Sequence, residues 1–269
     1  MFIVADVVKE KKSLSKILLK KSMPNCELDY IAVNGGAPFM HLTIKETKSG
    51  IDWDEVKFRT GLCSKYLLID EKISLPENIG IGRYVPLLLP MLCLFNNLKS
   101  IVSKLDNKKT EIVIYDDVGI FVHKVENLFS VVSNITVVTQ NDYYDELQQD
   151  LLKSIGASLV VTHDAIDLSD KIVISPIYTK SMKDALAVFS FKSDCDYPNL
   201  ICGDTIPLEE KHLKSKPENI NNDIFASALY EFSAIHTLDN NCFEHLYVGN
   251  EACSENDIIN RIRAKIPVS

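Results

Sequence analysis

Asp116 and Asp117 stand side by side in the stretch 111-EIVIYDDVGIFVHKVENLF-129, just past an apolar run and just before Gly119. Adjacent carboxylates in a tight turn can do two kinds of chemistry. Their oxygens suit a hard cation such as Mg²⁺, or they can cap the free N–H groups of a following helix and stabilise its positive end. No further ligand lies beside the pair in sequence, so no metal site is assigned. Other polar residues fall at the ends of later apolar runs. Asn141 and Asp142 close 139-TQND-142, Thr162 and His163 open 162-THD-164, and Ser175 precedes Pro176.

The elements that must position these residues follow from the apolar pattern. The spacing predicts strand 111–115, helix 119–133, strand 135–139, helix 143–155, and strands 158–162, 171–175, 186–191 and 199–202. The strands are nearly continuous apolar runs, as in IVIY, TVV, LVV and IVI, which suits a parallel sheet covered on both faces. Asn141 and Asp142 are good N-caps for helix 143–155. Upstream, a strand at 1–8 and a short helix at 13–22 precede two β-rich runs around Asn34-Gly35-Gly36, a hairpin signal. On the second run Met40, Leu42 and Ile44 share one face, and His41, Thr43 and Lys45 the other. Asp52 with Glu55 gives a variant capping box, with Val56, Leu62, Cys63, Tyr66 and Leu67 as the apolar stripe behind it. Residues 70–86 compose a loop. Residues 87–104 form a buried helix with Pro90 in its first turn, where a missing N–H does no harm. A helix at 223–238 and another beginning near Ser254 close the chain.

Residues 111–176, roughly a quarter of the chain, resemble the first half of a Rossmann-type nucleotide-binding domain. The layout is similar to that of shikimate-dehydrogenase-like proteins: a smaller mixed α/β N-terminal part, a Rossmann-like mostly parallel sheet, then C-terminal helices. The resemblance implies an α/β fold, with a 1–105 domain containing the hairpin and a 106–269 Rossmann-like domain. It also implies a ligand beyond the carboxyl ends of the strands, in the cleft between the domains. The cofactor-binding set it implies is Asp116, Asp117, Gly119, Asn141, Asp142, Thr162, Ser175 and Pro176, with Gly119 in one glycine place and Asp142 or Asn141 near the ribose position. The chain departs from the family at the turn itself. One glycine stands where two or three are usual, and two carboxylates stand where a dinucleotide places two phosphates. Like charges repel there, so NAD(P) is disfavoured and the cofactor stays unknown. An acidic pair after a first strand also resembles a phosphorylation receiver domain, with Asp164 as acceptor and with Ser175 and Lys192 following. Only Ala165 to Asp170 separates that acceptor from the next strand, too little for a crossover helix.

The net charge of −8 gives no electrostatic pull toward nucleic acid or an anionic membrane. The longest apolar stretch, 84-YVPLLLPMLCLF-95, is too short to span a bilayer. An odd count of seven cysteines, without C-x-x-C and without a signal-like N-terminus, suits free thiols in a reducing cytoplasm. Nucleophile-elbow, Walker A, zincin and EF-hand signatures are absent, and the six histidines are scattered. The N-terminal part lacks the lysine–aspartate pattern of those dehydrogenases; Lys45 and Asp52 are candidates by position only, and no role is carried over to either. Three functions fit. The first is a module whose degenerate turn binds a nucleotide-related or other small ligand, or has lost binding and serves interactions. The second is an NAD(P)-dependent oxidoreductase with an atypical turn. The third is a structural or assembly protein that forms a homodimer through 87-LLLPMLCLF-95 and 224-IFASALYEF-232.

Overall fold

The computed structural model describes residues 1–9, 25–33, 38–105, 110–191, 197–213, 216, 218, 220–233 and 235–266. From the N-terminus run β1 (Ile3–Lys9), β2 (Cys26–Ile31), β3 (Phe39–Glu46), α1 (Trp53–Thr60), β4 (Leu67–Leu68) and α2 (Leu88–Ser103). Next come β5 (Glu111–Tyr115), β6 (Asn134–Val138), α3 (Tyr143–Ile155), β7 (Leu159–Thr162), β8 (Ile172–Ile174), β9 (Ala187–Phe189) and β10 (Leu200–Asp204). The last stretch holds α4 (Glu210–Leu213), α5 (Asn222–Ser233), β11 (His245–Val248), β12 (Glu251–Cys253) and α6 (Glu255–Lys265). The helix expected at 13–22 and the Asn34-Gly35-Gly36 turn lie outside the described residues. The chain divides into two compact units, Met1–Leu87 with Leu208–Leu238, and Leu88–Pro207 with Asp239–Ser269. The sequence boundary at 105/106 assigns α2 to the first part and α5 to the second. In the compact units each helix belongs to the other one.

The first unit is built on a four-stranded sheet in the order β2-β3-β1-β4. β2 and β3 pair antiparallel, as the hairpin pattern requires, while β1 runs parallel to both β3 and β4. The expected alternation is present: Met40, Leu42 and Ile44 are buried in a cluster with Ile3, Cys26, Val56 and Leu67. α1 starts at the predicted place, where the Asp52 side chain accepts the Glu55 N–H at 3.0 Å. It stops after two turns because Gly61 takes φ +55°, so Leu62, expected on the buried stripe, is 95% exposed. The apolar face of α5 is spent internally. Phe225 packs edge-on to Phe39 at 5.4 Å, and Phe232 lies 5.6 Å from Phe2. Glu231 anchors the preceding loop, accepting the Tyr84 hydroxyl and the Leu87 N–H.

One titration follows from this core. Burial, then the charges of Glu55 and Asp52, pushes the Cys26 thiol from 9.0 up to about 11. The folded chain keeps a proton that the unfolded chain releases. The resulting stability is complete below about pH 9 and is lost as pH rises through about 11. Urea-unfolding free energies should fall across that window, and less steeply for Cys26→Ala. Identical slopes in the two proteins would remove the thiol as the cause.

The second unit carries an eight-stranded sheet, β12-β11-β10-β9-β8-β5-β6-β7. From β7 to β10 every pairing is parallel, and β11 and β12 close one edge antiparallel. Counted from β5, the parallel strands stand in the order 3-2-1-4-5-6, the order of a dinucleotide-binding domain. The fold is therefore α/β and Rossmann-like on its own topology. The apolar runs are explained by burial: Ile112, Val113, Ile114, Ile172, Val173, Ile174, Val188 and Phe189 all have 0% exposure. α2 packs on β8 and β9, α3 on β7, and α6 against α2 and β12. The apolar side chains of α2 from Leu89 to Phe95, Pro90 apart, are buried. No helix of the described residues is long and apolar enough to cross a membrane.

The helix expected at 119–133 does not form. Isolated turns and a 3-10 helix, Val125–Ser130, connect β5 to β6 instead. Phe121, Val125, Leu128 and Val132 keep helix-like spacing and are buried, with Phe121 stacked on Phe95 at 5.3 Å. Burial of that face sets the spacing, but valine-rich backbone and side-chain bonds to the first N–H groups replace the regular ladder. Residues 163–171, between β7 and β8, contain no helix either.

Candidate functional site

Residues at the carboxyl ends of β5, β6 and β7 form one hydrogen-bonded group. Asp116, the first residue after β5, is 1% exposed. One of its carboxylate oxygens accepts the Gly119 N–H at 2.8 Å. The other accepts the Phe121 N–H at 2.8 Å and the Tyr144 hydroxyl at 2.5 Å. Charge-assisted bonds of this kind are the strong ones. They let a buried carboxylate persist without a cation beside it. Tyr144 comes from the first turn of α3 and is fully buried. Burial, and next the charge of Asp116, raises its phenol well above the ordinary range.

The neighbours lock the turn from the other side. The Thr139 hydroxyl donates to the Asp116 carbonyl at 2.6 Å and accepts the Asn141 N–H at 2.9 Å. Asp117 is exposed, and its carboxylate accepts the Gln140 N–H at 2.8 Å. His163 bonds through Nδ1 to the Thr139 carbonyl at 2.7 Å, and the Gln140 amide donates to the His163 carbonyl at 3.2 Å. Gly119 has φ +86°, and a Cβ there would stand 2.9 Å from the Asn141 side-chain nitrogen. Glycine is needed at this place for the conformation and for the close approach of Asn141.

The structure thus joins Asp116, Asp117, Gly119 and Asn141 in one network. Asn141, not Asp142, caps α3, accepting the Tyr143 N–H at 3.0 Å, and Asp142 makes no capping bond. Thr162 ends β7 and accepts the Asp164 N–H at 3.2 Å. Ser175 follows β8 and closes its own turn by donating to the Ile177 carbonyl at 2.8 Å, with Pro176 inside that turn. Neither Tyr144 nor Thr139 is singled out by the sequence pattern.

In a dinucleotide site, the donors after the first strand point at a pyrophosphate, and the following helix adds its positive end. Here two of those N–H groups bind Asp116 and no regular helix follows β5. The residues present do not fit a dinucleotide in that pose. Among the described residues no group of three or more His, Cys, Asp or Glu side chains stands together that could hold a metal ion.

No family model matches this chain, and no curated protein matches it. Solved structures similar to it include a shikimate dehydrogenase in complex with NADP⁺, at 12% identity over 99% of this chain and 96% of that one, with a TM-score of 0.29. An L-tryptophan dehydrogenase from Nostoc punctiforme is 11% identical over 98% of this chain and 79% of its own, with a TM-score of 0.30. The likeness is loose in both cases and says nothing of activity.

Proposed function

We propose that this protein is a Rossmann-like module that has given up dinucleotide binding and works by binding other molecules, not as a nicotinamide-dependent dehydrogenase. The observation that carries this reading is the Asp116 carboxylate bound to the Gly119 and Phe121 N–H groups. It occupies the place of a phosphate from within the chain. To admit a pyrophosphate, Asp116 would have to leave two N–H groups and the Tyr144 hydroxyl, at a cost of several kcal/mol before any ligand contact is made. The oxidoreductase alternative requires that rearrangement.

A thermal-shift titration with NAD⁺, NADP⁺ and ATP, each with and without Mg²⁺, tests the proposal. A ligand at about 100 times its Kd stabilises a folded protein by about 2.7 kcal/mol, which moves Tm by roughly 5–10 °C at this chain length. We expect no movement at millimolar ligand. A rise with NAD⁺ or NADP⁺ would restore the oxidoreductase reading, and one that needs Mg²⁺ would give Asp117 a metal role.

A further inference from the structure

Among the described residues the four-stranded sheet of the first unit ends on β2, and the ladder fixes which of its backbone groups face away from β3. The Lys45 N–H bonds to the Asn25 carbonyl at 2.8 Å, and the register sets Cys26 opposite Ile44, Leu28 opposite Leu42 and Tyr30 opposite Met40. Antiparallel pairs alternate between bonded and non-bonded positions. Residues 25, 27 and 29 therefore spend their N–H and C=O groups on β3. Those of Cys26, Leu28 and Tyr30 face the other way; Cys26 is covered at 1% exposure, and among the described residues Leu28 and Tyr30 have no partner strand on that side.

Beside that edge runs a cavity of about 510 Å³, lined by Cys26, Glu27, Leu28 and Asp29 on one side and by Phe58 and Arg59 of α1 on the other. Phe58 is 84% exposed and Tyr30 is 70% exposed. A groove between an edge strand and a helix is the geometry that takes an extended peptide as an added strand. Main-chain bonds hold such a peptide, and its alternate side chains meet the two faces.

The side chains say which peptide. On the α1 side stand Leu28 and Phe58, which suit apolar residues. On the opposite face Glu27 and Asp29 are exposed, and the cation near them, Lys45, is only at 4.0 Å from Glu27. Arg59 is engaged with Glu55 at 3.6 Å. A second copy of β2, antiparallel about Leu28, would set Glu27 against Asp29 twice over, and directly opposed like charges destabilise a pair. The two carboxylates thus bar self-pairing and admit a strand with cations at alternate positions.

We propose that the β2 edge and the α1 groove bind an extended peptide in which basic and apolar residues alternate, by strand addition to Leu28 and Tyr30. The proposal stands apart from the dinucleotide question, since every residue it uses is in the first unit. The test uses the full chain and a capped hexapeptide alternating lysine and valine, with a glutamate–valine counterpart as control. Amide exchange at Leu28 and Tyr30 should slow at least about threefold with millimolar lysine–valine peptide. The double variant Glu27→Lys with Asp29→Lys should reverse the preference between the two peptides. Unchanged exchange at both amides would overturn the proposal, because the carboxylates would then only guard the edge against any strand. Equal protection by both peptides, or protection in a dimer without peptide, would also overturn it.

Discussion

Asp116→Ala should destabilise the protein by about 4 kcal/mol, among the largest losses available to a single substitution. Alanine leaves the Gly119 N–H, the Phe121 N–H and the Tyr144 hydroxyl without their acceptor in a site 1% exposed. Each stranded donor costs about 1–3 kcal/mol, less whatever a water entering the gap recovers. Tyr144→Phe removes one donor together with part of the acceptor's solvation and should cost about 1–2 kcal/mol. Asn at 116 keeps the shape, but its NH₂ group faces a donor, so Asp116→Asn should fall between the two. Urea unfolding at constant m-value reads all three. A loss under about 1.5 kcal/mol for Asp116→Ala would mean that the turn holds without its aspartate, and the closed phosphate site would lose its basis.

Gly203→Ala should cost about 3 kcal/mol for a different reason. This glycine has no positive φ, so its backbone is one alanine accepts. The obstacle is space: a Cβ would sit 2.5 Å from two ring carbons of Phe243 and 2.7 Å from the Phe243 Cβ. Phe243 cannot retreat, because the buried Asn97 side chain accepts its N–H at 2.9 Å and the next residue, Glu244, donates to the Thr205 carbonyl at 3.0 Å. For a chain of this length the loss corresponds to a fall in Tm of roughly 6–12 °C. Gly203→Ala combined with Phe243→Ala should lose clearly less than the sum of the single changes, since removing the ring removes the collision. Additive losses would show that the strain lies elsewhere.

The middle of the second sheet was legible because its strands are covered on both faces: IVIY, TVV and IVI carry no solvent-facing alternation, while LVV of the edge strand β7 has the same composition although Val160 is 50% exposed. α2, α3 and α6 were legible from helix-compatible length and end signals such as Ser254, which forms a full capping box with Asp257. The segment after Asp116 misled for a physical reason. Phe121, Val125, Leu128 and Val132 repeat at helix spacing, but periodicity reports which side chains are buried, not which hydrogen bonds the backbone makes. The partners of Asp116 could not be found in sequence, because Tyr144 meets it from 28 residues away, across the sheet end. The acidic turn itself was visible. That its charge is satisfied from inside the chain was not.

The first unit is discontinuous in sequence, and this bears on its birth at the ribosome. Phe2 and Phe39 stack at 5.3 Å and are covered by Phe225 and Phe232, which are translated last of the four. At about 5–20 residues per second, the 138 residues from Leu88 to Phe225 take roughly seven to thirty seconds to emerge. Through that interval the nascent N-terminal sheet carries a bare aromatic face, while the parallel pairings from β5 to β10 all lie within one unbroken run. The parallel sheet can close first. The opening segment of the chain is the one that a holdase chaperone has time to meet.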